Sequence, residues 1–169
     1  MERLGLVIVL MGVAGSGKST VGSLLASQLG WEFADGDDYH AAASIEKMRE
    51  GIPLTDADRA PWLGKLRSLI AEWVEAGKSA VLACSALKQS YREILRADDD
   101  VCFVYLKASR DVLSQRLLKR HDHYMKESML HSQLTALEEP KDAIVVDAGG
   151  APETVVEVIL RSLGLARDR

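Results

Sequence analysis

Short apolar runs alternate with segments of helical period from one end of the chain to the other. The runs Gly5–Met11, Glu32–Asp35, Ser79–Cys84, Val101–Lys107 and Ala143–Asp147 predict strands. Ser79–Cys84 is continuously apolar, as a strand buried on both faces would be. Between the runs, a helix opens near Lys18 with Val21, Leu24, Leu25 and Leu29 on one face. A second spans Ala41–Glu50 and is stopped by Gly51 and Pro53. The clearest period covers Asp58–Ala76, where Trp62, Leu63, Leu66, Leu69, Ile70, Trp73 and Val74 form one stripe that predicts packing against a core. Further helices are expected over Gln89–Arg96, Arg110–Lys119 and Pro152–Leu163, the last with proline in its first turn. Strands alternating with helices mean parallel βαβ units, hence an α/β fold of three layers, α/β/α. No repeat, linker or low-complexity segment divides it, so residues 1–169 read as one domain.

Composition narrows the classes. At 47% hydrophobic and 27% charged residues the chain is globular rather than disordered. A net charge of −4 provides no broad basic surface, so nucleic acid is not expected as a partner. The apolar run Leu4–Val13 is too short to span a bilayer and leads straight into a glycine loop, which argues against a membrane anchor or a signal peptide. Cys84 and Cys102 lie in or beside apolar runs and read as buried, reduced thiols. The sequence contains no Asn, hence no N-glycosylation site, and a cytoplasmic location is expected.

Residues 12–19 read GVAGSGKS, a phosphate-binding pattern set between an apolar strand and an amphipathic helix. Its glycines let backbone N–H groups turn toward phosphate oxygens, and the helix that follows points its positive end at the same oxygens. Lys18 is expected at the β- and γ-phosphates and the Ser19 hydroxyl on Mg²⁺. The candidate nucleotide contacts are therefore Gly12, Val13, Ala14, Gly15, Ser16, Gly17, Lys18, Ser19 and Thr20. Without Asn there is no N-K-x-D motif for reading guanine. Strand ends at Cys84-Ser85 and Lys107 lack the acidic residue expected of a motor ATPase; only Asp35 and Asp147 provide one. Phosphoryl transfer to a small molecule fits best. An ATP-binding regulatory module is the alternative, and it would have no need of a base.

The second strand runs into Asp35-Gly36-Asp37-Asp38-Tyr39-His40, on the ligand edge of a parallel sheet. Asp37 is the candidate general base for an attacking hydroxyl, and Asp35 could orient the metal's water or the acceptor. Asp37 or Asp38 could instead cap the next helix. Arg116, Arg120, His121, His123 and Lys126 lie where a cover, roughly residues 119–140, would exclude water and bring cations to the moving charge. His121-x-His123 alone is not read as a metal site. Lys88, Tyr91 and Arg92 follow the third strand on the ligand edge, while Arg49 and Arg59 flank the second helix and its turn. Some of these cations would hold an anionic acceptor, and which ones stays open. Trp62 and Trp73 read as packing residues.

The segments GVAGSGKST, DGDDYH, IEKMREGIPLTDADRAPWL, CSALKQSYR and SQLTALEEP occur in this order and closely resemble the small P-loop gluconokinases. The phosphate loop is widespread, whereas the stretch from Lys47 to Leu63 and CSALK with Tyr91-Arg92 are far more specific. The resemblance spans residues 7 to 147. It implies transfer of phosphate from ATP with Mg²⁺ to the 6-hydroxyl of D-gluconate, giving 6-phosphogluconate. It also implies a five-stranded parallel sheet of order 2-3-1-4-5 with a helical lid, as in shikimate and nucleoside monophosphate kinases, and a homodimer. By the same resemblance Lys18, Asp37 and Arg120 are catalytic, with Arg116 and Arg120 near the phosphates. Asp35, Asp37, His40, Arg49, Lys88, Arg92 and Arg120 are candidates for the gluconate side, and the loop from Asp147 to Pro152 borders the adenine. Where the family commonly reads H-P-x-x-N, this chain has His40, Ala41, Ala42, Ala43 and Ser44, and a proline common in the lid is Lys126. A changed sugar-acid selection is the expected consequence if the replaced Asn touches substrate, and a related kinase acting on shikimate, a nucleoside monophosphate or another sugar acid is the nearest alternative.

Overall fold

The computed structural model describes residues 5–96, 99–119 and 128–165. Five parallel strands, β1 (Val7–Met11), β2 (Glu32–Asp35), β3 (Ala80–Ala83), β4 (Val101–Lys107) and β5 (Ile144–Asp147), form one sheet of order β2-β3-β1-β4-β5. This is the order that the gluconokinase resemblance implies. The central strand pairs Val7 with Ala80 on one side and with Val101 on the other, so the phosphate loop leaves from the middle of the sheet. Parallel pairing brings every strand's carboxyl end to a single edge, where ligands bind in such folds.

Side chains alternate across the fully buried β1. Val7, Val9 and Met11 face a core shared with α3 (Asp56–Glu75) and α4 (Gln89–Leu95), including Trp62, Leu66, Ile70, Trp73 and Tyr91. Ile8 and Leu10 face the opposite layer, built from Val21 and Leu25 of α1 (Lys18–Leu29) and Val155, Val156 and Ile159 of α7 (Pro152–Ser162). A third apolar cluster lies under the ligand edge. There Val13 and Ala14 of the phosphate loop pack with Met48 of α2 (Ala42–Arg49), Leu113 and Leu117 of α5 (Arg110–Leu118), and Met129 and Leu130 of α6 (Ser128–Ala136).

The strands and helices expected from the pattern are present, with two instructive differences. Helix α3 begins at Asp56 rather than Asp58, because Thr55 accepts from the Asp58 N–H while the Asp58 carboxylate accepts from the Thr55 N–H, a reciprocal cap. Pro61 lies inside this helix and removes one ladder hydrogen bond, yet the apolar stripe that follows keeps the helix in place. The other difference concerns the expected cover. Its residues 120–127 lie outside the described part, and a helix that the apolar pattern did not predict, α6, follows them with Met129 and Leu130 buried in the third cluster.

Candidate active site

The chain leaves β1 at Met11, loops through residues 12–17 and enters α1 at Lys18. Gly17 caps α1 at φ +95, a left-handed conformation that side chains disfavour. Gly15, at φ +85, approaches α5 so closely that a Cβ there would sit 3.0 Å from the Leu113 carbonyl. Cations hold the loop's carbonyls. Lys18 Nζ donates to Gly12 O at 2.9 Å and to Val13 O at 3.0 Å. Arg116 Nη1 donates to Gly15 O and Ser16 O, and its Nη2 donates to Ala148 O at 2.6 Å and to Gly150 O. Arg116 thus ties the loop to the turn after β5. On the opposite flank the Ala14 N–H donates to Gln133 Oε1 of α6 at 2.7 Å. With these carbonyls engaged, the loop and the first turn of α1 can offer amide N–H groups to an anion. Ser16 Oγ, buried in the loop, has no hydrogen-bond partner among the described residues.

The loop separates two cavities. The first is lined by Lys18, Ser19, Asp37, His40, Arg59 and Trp62, among others. The second is lined by Gly17, Thr20, Arg116, Gly150 and Pro152. Gly17 borders both. An extended phosphate chain crossing the loop would place its outer end beside Asp37 and the rest of the nucleotide against the turn after β5.

Asp35 organises the wall of the first cavity. Its carboxylate accepts from Ser19 Oγ and from the Asp37 N–H at 3.0 Å, and thereby caps the 3-10 turn Gly36–Tyr39. Trp62 Nε1 donates to Gly36 O at 2.7 Å and fixes the same turn to α3. The Trp62 ring stacks on His40, with centroids 4.2 Å apart and planes 15° from parallel. Burial, reinforced by the positive charge of Arg59, pushes the His40 pKa down to about 4 against the opposing pull of Asp35. Its imidazole is therefore neutral at neutral pH, with Nε2 3.9 Å from Asp37 Oδ1.

Residues 14–163 match the shikimate kinase family, a P-loop kinase group. The chain is 49% identical to a gluconokinase of Gluconobacter oxydans (strain 621H), over 91% of this chain and 89% of that protein. The chain belongs to the gluconokinase family. Two solved structures agree with that assignment. One, a gluconokinase from Sinorhizobium meliloti 1021, is 41% identical, with a TM-score of 0.85 over 96% of this chain and 94% of that one. The other, a sugar kinase from Janibacter sp. HTCC2649, is 42% identical, with a TM-score of 0.87 over 95% of both chains.

Against this gluconokinase frame, the candidate residues separate by position. Lys18, Ser19, Asp37 and His40 line one cavity, with Asp35 holding Ser19 and Asp37 from behind. Arg116 reaches the phosphate loop and lines the other cavity. The structure does not bring Arg92 to either cavity lining. It is 2% exposed, and its guanidinium donates to Ala86 O, Leu87 O, Glu138 O and Gln89 Oε1. These bonds hold the turn after β3, where Ala86 has φ +45, a conformation unusual for a residue with a side chain. Lys88 pairs with Asp56 at 3.0 Å, and Arg49 is an exposed residue in the last turn of α2; neither lines either cavity. Arg59 does line the first cavity. Arg120, His121, His123 and Lys126 lie outside the described residues. Neither Asp37 nor Asp38 caps the next helix: α2 follows Ala41 with no side-chain cap, and both aspartates lie inside the 3-10 turn that Asp35 caps.

Trp62 and Gln133 are among the residues of the first cavity that the sequence does not mark as site residues. Trp62 sits on the apolar stripe of α3, where an indole N–H that fastens the 3-10 turn looks the same as a packing residue. Gln133 lines the same cavity from α6, and only its place in the SQLTALEEP segment set it apart.

Proposed function

We propose that this chain transfers the γ-phosphoryl group of ATP to the 6-hydroxyl of D-gluconate, giving 6-phosphogluconate and ADP. One arrangement supports this reading above the rest: Lys18, Asp37 and Arg59 line a single cavity beside the phosphate loop, while a second cavity opens on the loop's other side. The first offers a carboxylate for a hydroxyl and a guanidinium for an acid group. The second is suited to the adenosine portion, bounded by Arg116 and the turn of residues 147–152.

In this reading Asp37 accepts the proton as the gluconate hydroxyl oxygen bonds to phosphorus. The bond from phosphorus to the bridging oxygen breaks and ADP leaves with the electron pair. Lys18 holds the outer phosphates. Arg59, rather than the buried Arg92 or the paired Lys88, takes the gluconate carboxylate, for which its fork of N–H donors is suited. Neutral His40 and Trp62 form the wall that keeps Asp37 aimed into the cavity. Arg120 is proposed, from the family pattern, to follow the transferring charge.

The residues present fit Mg²⁺. Ser19 and Asp35 bring a hydroxyl and a carboxylate together at the cavity's edge, hard oxygen donors of the kind this ion takes beside phosphate oxygens and water. Phosphate oxygens and water would complete the ion's coordination. When bound, the ion neutralises phosphate charge.

A cytoplasmic location is consistent with Cys84 and Cys102, neither of which forms a disulfide. No helix among the described residues is long and apolar enough to cross a membrane. A homodimer is proposed from the family resemblance, supported by the exposed Val145 on the edge strand β5 and Val158 on the adjacent α7.

The test is ADP release with ATP and Mg²⁺ in the presence of gluconate, shikimate, AMP or buffer alone. Stimulation by gluconate only, with 6-phosphogluconate as product, is expected. Stimulation by another acceptor and not by gluconate overturns the substrate, and tight ATP binding with no turnover on any of them overturns the kinase reading.

A further inference from the structure

The first cavity's guanidinium is held by groups that no step of the reaction uses, two of which, Tyr91 and Asp56, lie outside the cavity lining. Asp56 and Arg59 lie one turn apart at the start of α3, and Tyr91 of α4 reaches between them. The Tyr91 hydroxyl donates to Asp56 Oδ1 and accepts from Arg59 Nη1 at 3.2 Å. The same Nη1 donates to Leu54 O at 2.9 Å. Tyr91 is buried, and the side chains of Arg59 and Lys88 both lie over its ring, 5.5 and 5.6 Å from the centroid. A hydroxyl that gives its proton to a carboxylate can only accept from its other neighbour, so Asp56 sets the direction of the bond that Tyr91 makes with Arg59. Asp56 also pairs with Lys88 at 3.0 Å.

We propose that Tyr91 and Asp56 are positioning residues that fix the Arg59 guanidinium in the orientation needed to grip the acceptor's carboxylate. The proposal rests on the sugar-acid reading above. Among the described residues no hydrogen bond uses Arg59 Nε or Nη2, whereas Nη1 is committed to Tyr91 and Leu54. The Nε–Nη2 edge is thus the fork presented to a planar carboxylate, and its direction depends on the anchoring of Nη1. An Arg side chain without that anchor recovers its rotamers and must lose them again on binding, a cost borne by acceptor affinity and not by the nucleotide.

The test compares the full-length wild type with Y91F, D56A and the Y91F/D56A pair, measuring KM for gluconate, KM for ATP, kcat and Tm. Y91F is expected to raise KM for gluconate about fivefold to tenfold, with kcat within about twofold and KM for ATP unchanged. D56A, at a largely exposed side chain, moves KM for gluconate in the same direction. The double variant is no worse than the poorer single one, because both act through one guanidinium. A purely structural role would instead lower Tm, disturb both KM values and make the two effects multiply. Either that pattern, or a KM for gluconate within about twofold of wild type in both single variants, overturns the proposal. Should Y91F fail to fold, D56A decides alone. A wild type without gluconate-dependent turnover overturns the functional reading and this inference with it, and that failure shows in the wild type itself.

Discussion

Ser19 donates its hydroxyl hydrogen to the Asp35 carboxylate, so the first turn of α1 and the end of β2 meet at one side chain. The other carboxylate oxygen of Asp35 accepts from the Asp37 N–H. Asp35 therefore connects the phosphate loop to the proposed base without itself lining the cavity. D35A is expected to release both Ser19 and the 3-10 turn, lowering kcat about 100-fold or more and raising the Mg²⁺ concentration needed for half-maximal rate. D35N, which can still accept from Asp37, should lose less. Magnesium titrations of the two variants check this, and a D35A enzyme with wild-type magnesium dependence would remove Asp35 from the metal's surroundings.

Asp37 can be separated from its support. D37N keeps the side chain's shape and removes the proton acceptor, so kcat should fall by about 10²–10⁴ while ATP still binds. K18A should cripple transfer by a different route, with loss of nucleotide affinity, because Lys18 braces the loop through Gly12 O and Val13 O and is the residue proposed to hold the outer phosphates. Single-turnover rates beside direct ATP binding distinguish the two. A fall of less than about fivefold in D37N would make Asp37 a binding residue only.

Much of this is legible in the sequence. A strand followed by GVAGSGKS and an amphipathic helix has one stable mechanical reading, and the alternation of apolar runs with helical segments sets the layers. Arg92 could not be read that way. In sequence it is one more cation on the ligand edge, beside Lys88 and Tyr91. Only the fold shows that the turn at Ala86 and Leu87 presents two buried carbonyls to it and that the chain returns after α6 to supply Glu138 O. Sequence spacing carries no information on a contact between residues 92 and 138. The same holds for Ala14 and Gln133, whose hydrogen bond joins the phosphate loop to a helix more than a hundred positions away.

Arg92 accordingly yields a stability prediction. Replacing it with Met leaves the buried Ala86 carbonyl without this donor and takes one donor each from Glu138 O and from Leu87 O, which keeps the Glu138 N–H, at a cost of about 1–3 kcal/mol. Urea unfolding of R92M should show a markedly lower midpoint. Where the variant is still folded, its KM for gluconate should stay within about threefold of wild type. A large KM effect with unchanged stability would return Arg92 to the acceptor site.

His40 makes folding sensitive to acid. Its folded pKa, about 4, lies below the ordinary 6.5, because burial disfavours the charged ring. Between these values the unfolded chain binds more protons than the folded one, so stability is full above pH 6.5 and declines as pH falls toward 4. The full span corresponds to about 3 kcal/mol, reached only when pH has fallen through both values. H40F, which keeps a ring to stack on Trp62, should show a shallower loss of Tm between pH 6.5 and pH 4. The gluconate rate of wild type should show no inflection near pH 6.5 from this group. Parallel Tm curves for the two proteins would mean that His40 does not carry the linkage.

Ala41 stands where the family commonly has proline, and the backbone retains the shape a proline would require. Its φ is −64°, within the range to which a pyrrolidine ring is locked, and His40 before it has φ −68° and ψ 143°, the extended conformation that proline imposes on its predecessor. Among the described residues the Ala41 N–H donates no backbone hydrogen bond, so its removal breaks none. Ala41 also provides no side-chain cap for α2, whose first turn relies on Ser44 N–H and Ile45 N–H donating to the Ala41 carbonyl, a group that proline keeps. A41P should therefore act mainly on the unfolded chain, restricting it and stabilising the fold by about 0.4–1 kcal/mol. Thermal and urea unfolding check the sign, and kcat should not change, because the substitution leaves the positions of His40 and Asp37 as they are. A lower Tm would mean that the turn between the 3-10 segment and α2 is held by the Ala41 side chain and not by its backbone.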